Sequence, residues 1–522
     1  MDPLPRLIEA MLCPEFYPHP VHEPIRLVQT HISYVLLTGQ HAYKLKKPVN
    51  LGFLDFSSLE KRHFYCTEEV RLNSLYSPAL YLEVLSIAKR GGHFAFGTDT
   101  EFDTIVEYAV HMREFDDRNL LYNVFECGEL NENHVLEIAR KLSDVHRTAK
   151  TSDAIRAYGR ATCIAEMASE NYEEIRPFIG TTETEQFFLE THAFTDRFIA
   201  ENSSLFCNRI DEKKIRECHG DLHLKNICIY EGRIQFFDRI EFSEQLKNID
   251  VIYDLAFLAM DLQYRSRNDL ANVLINNYLE RTGDYEGAEL LPLYLTMRAC
   301  VRGKVNSMLS ADEHLSDAES ERAKDEAHIY FEHAWRYTQH RESALIVMCG
   351  LSGSGKSTVA RNLAKKIDAI HIRSDAIRKH IAGVQLDDHG QEIYTPELTR
   401  QTYEHLALLG NRIAAGGQNV ILDAKFGERA FRRHVIEDSR RAKRSLRFLW
   451  CNAEAPVLEA RLRSRKGDIS DAGPHLHEQQ VAEFEEFTHE EKMFVTPIDT
   501  ERPVDIDALA RTIFRQAQSR GN

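Results

Sequence analysis

Between His219 and Asn226 the chain reads His-Gly-Asp-Leu-His-Leu-Lys-Asn, and Asp238 follows shortly after. A carboxylate at Asp221 can take or orient a hydroxyl proton, and Asn226 and Asp238 are oxygen donors suited to Mg²⁺. A second set begins at Gly350-Leu351-Ser352-Gly353-Ser354-Gly355-Lys356-Ser357-Thr358. Gly350, Gly353 and Gly355 let backbone N–H groups turn toward phosphate oxygens, and Ser352, Ser354 and Thr358 complete the cradle. Lys356 reaches the β- and γ-phosphates, and the Ser357 hydroxyl is available to Mg²⁺. Both sets answer one chemical need, holding a nucleotide γ-phosphate beside a hydroxyl acceptor.

Around the second set, Asp375 and Arg378 lie one helical turn apart after a strand. A carboxylate there can act as general base, and a guanidinium can grip an anionic group of the acceptor. Asn419-Val420-Ile421-Leu422-Asp423 is an apolar run ending in a carboxylate, which places Asp423 in the magnesium shell. Arg461 and Arg465 are candidates for a lid that closes on the phosphates. For the first set, which resembles the catalytic loop of a kinase-like phosphotransferase, that resemblance implies a phosphate-side lysine at Lys44, with Lys46 on the same strand face as the alternative. The partner on the following helix is Glu69, or Glu68. No Gly-x-Gly-x-x-Gly precedes the lysine; Thr30-His31-Ile32-Ser33 stands there, a tight turn that can still offer N–H groups.

The elements that position these groups follow from periodicity and turn chemistry. Strands are expected at 25–29, 33–37 and 42–46, then a helix over 58–75 with Asp55 and Ser57 or Ser58 as caps. A helical region follows from about 114, including 135–146. Ile227 to Tyr230 and Arg233 to Phe237 read as a hairpin closed by Glu231-Gly232, which returns Asp238 beside Asn226. A charged helix over 316–338 leads to the continuous apolar run Leu345 to Cys349. Further strands at 369–372, 419–422 and 446–451, separated by helices, imply a parallel sheet.

The bulk properties are those of a soluble globular protein of several domains: 522 residues, 43% hydrophobic and 28% charged. A net charge of −16 disfavours a general polynucleotide surface. The local basic run from Arg429 through Arg432, Arg433, Arg440 and Arg441 to Arg444 reads as a solvated helix face. No signal sequence or membrane span is expected, and the absence of a Cys-x-x-Cys pair argues against zinc or redox chemistry. The expected location is cytoplasmic.

The first set resembles the aminoglycoside phosphotransferase family over residues 25–335. That likeness implies a bilobal, protein-kinase-like α+β fold over 1–338, with a small lobe to about 113 and a helical lobe over 114–338. It also implies that Asp221 serves the acceptor hydroxyl, that Asn226 and Asp238 bind magnesium, and that Asp250 and Asp254 brace the catalytic loop. Residues 339–522 resemble P-loop kinases grouped with zeta toxins, gluconate kinases and polynucleotide 5′-hydroxyl kinases. The implied fold is an α/β P-loop NTPase with a parallel sheet; in the polynucleotide kinases an Asp-x-x-Arg motif supplies base and phosphate anchor, the spacing of Asp375 and Arg378. The whole chain resembles a bacterial fusion of the two. It implies a bifunctional phosphotransferase using ATP or GTP with Mg²⁺ and small-molecule hydroxyl acceptors. A regulatory nucleotide-binding module and a polynucleotide end kinase are the competing readings.

Overall fold

Alternation in the first strands sets two faces, and the structure fills them differently. The computed structural model describes residues 4–52, 54–90, 92–97, 104–339, 342–388, 390, 392–464, 469–470 and 477–518. Strands β1 (Arg26–Gln29), β2 (Ser33–Leu37), β3 (His41–Lys46), β4 (Tyr81–Arg90), β5 (His93–Phe96) and β6 (Thr104–Arg113) form an antiparallel sheet in the order β1-β2-β3-β6-β4-β5. Tyr43 and Leu45 point to one face, into a core with Ile8, Met11 and Tyr17. Ala42 lies on the other, packed with Cys66 and Leu80, and Lys44 and Lys46 share its parity.

The helix Leu59–Tyr76 covers that second face, started by Ser58 accepting from the Lys61 N–H. Its buried stripe is Arg62, Cys66, Glu69, Leu72, Asn73 and Tyr76. Four of these six positions are charged or carry a polar group, so the apolar periodicity that usually marks a packed helix is nearly absent. Burial is made tolerable by partners: Arg62 Nε lies 2.9 Å from both Glu107 oxygens.

Short strands then frame the loop that carries Asp221. β7 (Ile215–Glu217) pairs antiparallel with β10 (Asn248–Asp250), and β8 (Ile227–Tyr230) with β9 (Arg233–Phe236). Glu231 and Gly232 both have positive φ, 50° and 71°, as the tight hairpin turn requires.

The second sheet is wholly parallel. Its strands β11 (Ala344–Cys349), β12 (Ala369–Arg373), β13 (Asn419–Asp423), β14 (Ser445–Asn452) and β15 (Val495–Asp499) run in the order β12-β13-β11-β14-β15. β11 is buried at every residue, matching its unbroken apolar sequence. β15 was not expected from sequence: it is a half-buried edge strand containing Pro497, and such a strand lacks a strong pattern.

The chain divides into two compact units, 1–134, 144–167 and 199–261 in the first, 135–143, 168–198 and 262–522 in the second. The second unit therefore takes in helices well before residue 339. Among the described residues no helix is long and apolar enough to cross a membrane. Six cysteines are buried (66, 218, 228, 300, 349 and 451), as small core residues.

The basic run is mostly an exposed helix face, as expected, laced with surface ion pairs, but one of its arginines is fully inside. Arg432 is 0% exposed. Its guanidinium bonds Glu491 at 2.8 Å and donates to the Phe426, Gly427 and Glu485 carbonyls. It thus ties the segment after β13 to residues 485–491. Arg440 pairs with Glu490, and Arg441 with Asp438. Removing one partner of a buried pair leaves an uncompensated charge, so Arg432→Met should cost about 3–5 kcal/mol. Chemical denaturation would show an earlier transition for the second unit; an unchanged midpoint would mean that Glu491 finds other partners.

Candidate active sites

In the first unit a chain of alternating charges passes through one buried carboxylate. Glu69 is 0% exposed and accepts from Lys44 Nζ at 2.8 Å and Lys46 Nζ at 2.7 Å. Lys44 also reaches Asp238 at 2.5 Å, and Lys46 pairs with Glu241. The two lysines are therefore not equivalent: Lys46 is enclosed between buried acids, while Lys44 faces half-exposed Asp238. Glu68, the alternative partner, instead pairs with Arg71 at 2.7 Å on the outside of the helix. Burial opposes charge on Lys44, but Asp238 and Glu69 outweigh it and hold its pKa well above the ordinary value. Burial likewise opposes ionisation of Glu69, and the two lysines overcome it, pulling its pKa from 4.5 to about 2.

The loop holding Asp221 is fixed from below by carboxylates. Buried Asp254 accepts from the His219 N–H at 3.0 Å, from the Gly220 N–H at 2.9 Å, and contacts His146 Nε2 at 3.1 Å. Asp254 is thus a loop brace. Asp250 is not: it forms a two-pronged pair with buried Arg209 at 2.7 and 2.8 Å and caps the Ile252 N–H. Asp261, which sequence reasoning missed, accepts from the Leu224 N–H at 2.9 Å. Gly220 is required here, since its φ is +85° and a Cβ would meet the Leu246 carbonyl at 2.7 Å.

Asn226 donates to the Asp221 backbone and carboxylate at 2.9 and 3.1 Å. With Nδ2 engaged, Asn226 offers its amide oxygen and Asp238 its carboxylate, a donor set whose chemistry fits Mg²⁺. Asp238 itself has φ +59° and donates its N–H to the Tyr81 hydroxyl. The following Arg239 is buried and bonds the Cys218 and Glu217 carbonyls, which anchors the Asp238 backbone to the loop. The Thr30–Ser33 turn differs from the expected N–H donor. Thr30 Oγ1 accepts from the Ser33 and Ile32 N–H groups at 2.9 and 3.3 Å, so those amides serve the turn itself.

In the second unit the loop after β11 runs Gly350 to Ser357. Gly350, Gly353 and Gly355 have φ of +133°, +81° and +81°. A Cβ on Gly350 would come within 2.3 Å of the Cys451 carbonyl, so the glycine is sterically required. Lys356 Nζ donates to the Leu351 carbonyl at 2.8 Å, curled within its own loop, and burial lowers its pKa. The Ser352 N–H donates to Gln480 Oε1 at 3.0 Å, and Thr358 sits on the exposed first turn of the helix Lys356–Ile367. Ser354 Oγ is buried without a partner among the described residues.

Asp375 and Asp423 stand at the carboxyl ends of neighbouring strands. Register pairs Arg373 with Asp423. Asp423 is buried and contacts His371 Nε2 at 3.1 Å. Burial opposes its ionisation, yet His371, Arg373 and Lys356 hold its pKa well below the carboxylate range. An ionised carboxylate and the Ser357 hydroxyl are oxygen donors of the kind that suit a hard cation. Burial raises the pKa of Asp375, against the pull of Arg373. Arg378 is buried, donates to Thr399 Oγ1 at 2.9 Å and sits 4.7 Å over the Tyr394 ring; its Nε has no partner among the described residues. Arg461 does not extend over the phosphate loop. It lies against it, donating to the Gly353 carbonyl at 3.4 Å and the Thr500 carbonyl at 2.7 Å. Arg465 lies outside the described residues.

Comparison with known proteins bears on the fold of the C-terminal region. Residues 345–487 match the family described as AAA domain, so the C-terminal region holds a P-loop nucleotide-binding domain on a parallel sheet. Uncharacterized proteins of Mycobacterium tuberculosis and Mycobacterium bovis are 31% identical over 466 residues, spanning 87% of this chain and 89% of theirs. A gluconokinase from Sinorhizobium meliloti is similar at 21% identity and a TM-score of 0.25, covering 34% of this chain and 99% of that one. An ethanolamine kinase from Plasmodium vivax is similar at 12% identity and a TM-score of 0.35, covering 58% and 80%. These structural likenesses carry no conclusion about function.

The Glu69 pair gives a pH test. Its folded pKa near 2 lies below the ordinary 4.5, so its stabilisation is full above pH 4.5 and is lost as pH falls toward 2. Glu69→Gln should therefore destabilise the protein at pH 7 and by progressively less through that window. Denaturation midpoints that differ by a constant amount from pH 7 to pH 3 would contradict the charge chain.

Proposed function

The chain belongs to the family of these mycobacterial proteins, and we propose that it is an ATP-dependent phosphotransferase acting on hydroxyl groups of small-molecule acceptors. One observation carries the reading. Asp423 ends β13 and Asp375 lies in the first helical turn after the adjacent parallel β12, near the Lys356 of the glycine loop, the arrangement in which acceptor, base and phosphate meet at the carboxyl edge of a sheet. In this reading Asp375 accepts the acceptor proton, its raised pKa matching it to that task. Lys356 exchanges the Leu351 carbonyl for the β- and γ-phosphates, the loop amides neutralise developing charge, and Arg378 holds an anionic part of the acceptor. Ser357 and Asp423 would hold Mg²⁺, which screens phosphate charge when bound. Arg461 acts from the loop's flank by fixing Gly353.

For the first unit we propose a protein-kinase-like phosphotransferase site. Asp221 orients the hydroxyl, Asn226 and Asp238 would hold Mg²⁺, and Lys44, kept by Glu69, meets the nucleotide phosphates. A second reading has its own support: the Thr30 turn spends its amides internally and Lys44 is tied to Asp238, which favours a weaker, nucleotide-sensing role for this site. The pairing of the basic run with acids speaks for small molecules over nucleic acid as acceptors.

Incubation with γ-labelled ATP and a metabolite extract tests both sites. Lys356→Ala and Asp375→Asn should each cut labelling by the second site, the base variant by about 10²–10⁴-fold. Asp221→Asn should remove a different set of labelled products. Loss of all labelling with Lys356→Ala alone would leave the first unit a sensor, and full labelling with Asp375→Asn would dismiss the assigned base.

A further inference from the structure

The helix Asn268–Thr282 lies outside the 345–487 match, yet it completes the edge of the P-loop sheet. β12 is an edge strand, and its outward N–H and C=O groups need partners. Asn276 supplies them as a missing strand would. Its Oδ1 accepts from the His371 N–H at 2.7 Å, and its Nδ2 donates to the Ala369 carbonyl at 3.0 Å. Asn272 donates to the same carbonyl at 3.0 Å. One turn beyond Asn276, the Glu280 carboxylate lies 3.6 Å from Arg373, and the Glu280 carbonyl accepts from His380 Nε2 at 2.8 Å. The helix ends at Gly283 with φ +68°, where a Cβ would meet the His380 ring at 2.8 Å.

These contacts fall on alternate residues of β12 whose side chains serve the site. His371 holds Asp423, and Arg373 precedes Asp375 by two residues and lies across from Asp423. The charged groups around Asp375 include Arg373, Asp423, Arg378 and Lys356, and Ser470 bonds it. The buried Arg373 bears on both carboxylates while paired with Glu280, so the Glu280 pair sets where its charge falls.

We propose that Asn276 and Glu280 are positioning residues for the P-loop reaction, setting β12 so that His371 and Arg373 present Asp423 and Asp375 in register. Asn276 fixes the strand, and Glu280 shares the Arg373 guanidinium with the two carboxylates and so sets its position. The proposal rests on the reading that Asp375 and Asp423 serve this site. It implies that the kinase machinery extends beyond the segment shared with AAA domains, into a helix contributed earlier in the chain.

The full chain carrying Asp221→Asn, with release of the ATP γ-phosphate to water as the probe, gives the test. Glu280→Gln should lower kcat about 10-fold while the KM for ATP stays within about 2-fold, since the phosphate loop is untouched. Glu280→Asp should recover part of the loss, and the unfolding midpoint of the Gln variant should match its parent. Asn276→Ala should show the same split. Unchanged kcat in Glu280→Gln overturns the proposal, as does a loss that tracks a lowered unfolding midpoint and is not recovered by Asp. Full turnover in Asp375→Asn would instead overturn the base assignment on which it rests, so the two failures are distinct.

Discussion

A carboxylate wholly removed from water must be met by charge, and Glu69 is where the first unit meets that demand. Its two oxygens take Lys44 and Lys46, and each lysine then reaches a second acid, Asp238 or Glu241. The result joins the sheet, the covering helix and the segment after β9 into one network. Because Asp238 and Glu241 lie three residues apart on that segment, the network clamps it at two points. In the outer clamp, Lys44 with Asp238, the carboxylate is half-exposed. The inner one is buried on every side and behaves as a fixed hinge.

The loop carrying Asp221 obeys the same rule with backbone donors. Asp254 and Asp261 accept main-chain N–H groups, so buried acids stand where a regular strand or helix would otherwise satisfy the loop. Arg239 does the converse, donating to carbonyls on both sides of Cys218. A loop held this way keeps its shape without a ligand, which is what a site for charged substrates needs.

The second unit relies on steric necessity more than on charge. Its phosphate loop is shaped by glycines whose missing Cβ atoms admit the Cys451 and Leu458 carbonyls. Three of the groups at the loop are engaged internally: Lys356 by Leu351, the Ser352 N–H by Gln480, Arg461 by Gly353 and Thr500. A nucleotide must therefore outcompete intramolecular bonds, each of modest net worth, rather than fill a bare cradle.

Local signals were enough for the strands that bear the sites. β2, β3, β11, β12, β13 and β14 lie within a residue or two of their expected positions, because alternation and unbroken apolar runs report burial directly. The glycine loop, Asp221, Asn226, Asp375 and Asp423 were legible for a similar reason: spacing along a short turn or at a strand end nearly fixes their geometry. What sequence could not determine was pairing at a distance. The choice of Glu69 over Glu68, the separation of Asp254 as brace from Asp250 as ion-pair partner, the burial of Arg432 within a basic run, and the Asn276 edge to β12 all depend on which segments pack together. A charged residue carries no local mark of the partner that will neutralise it. Only the tertiary structure brings those partners within bonding distance and so decides which charges are buried, which are shared and which are left facing the ligand.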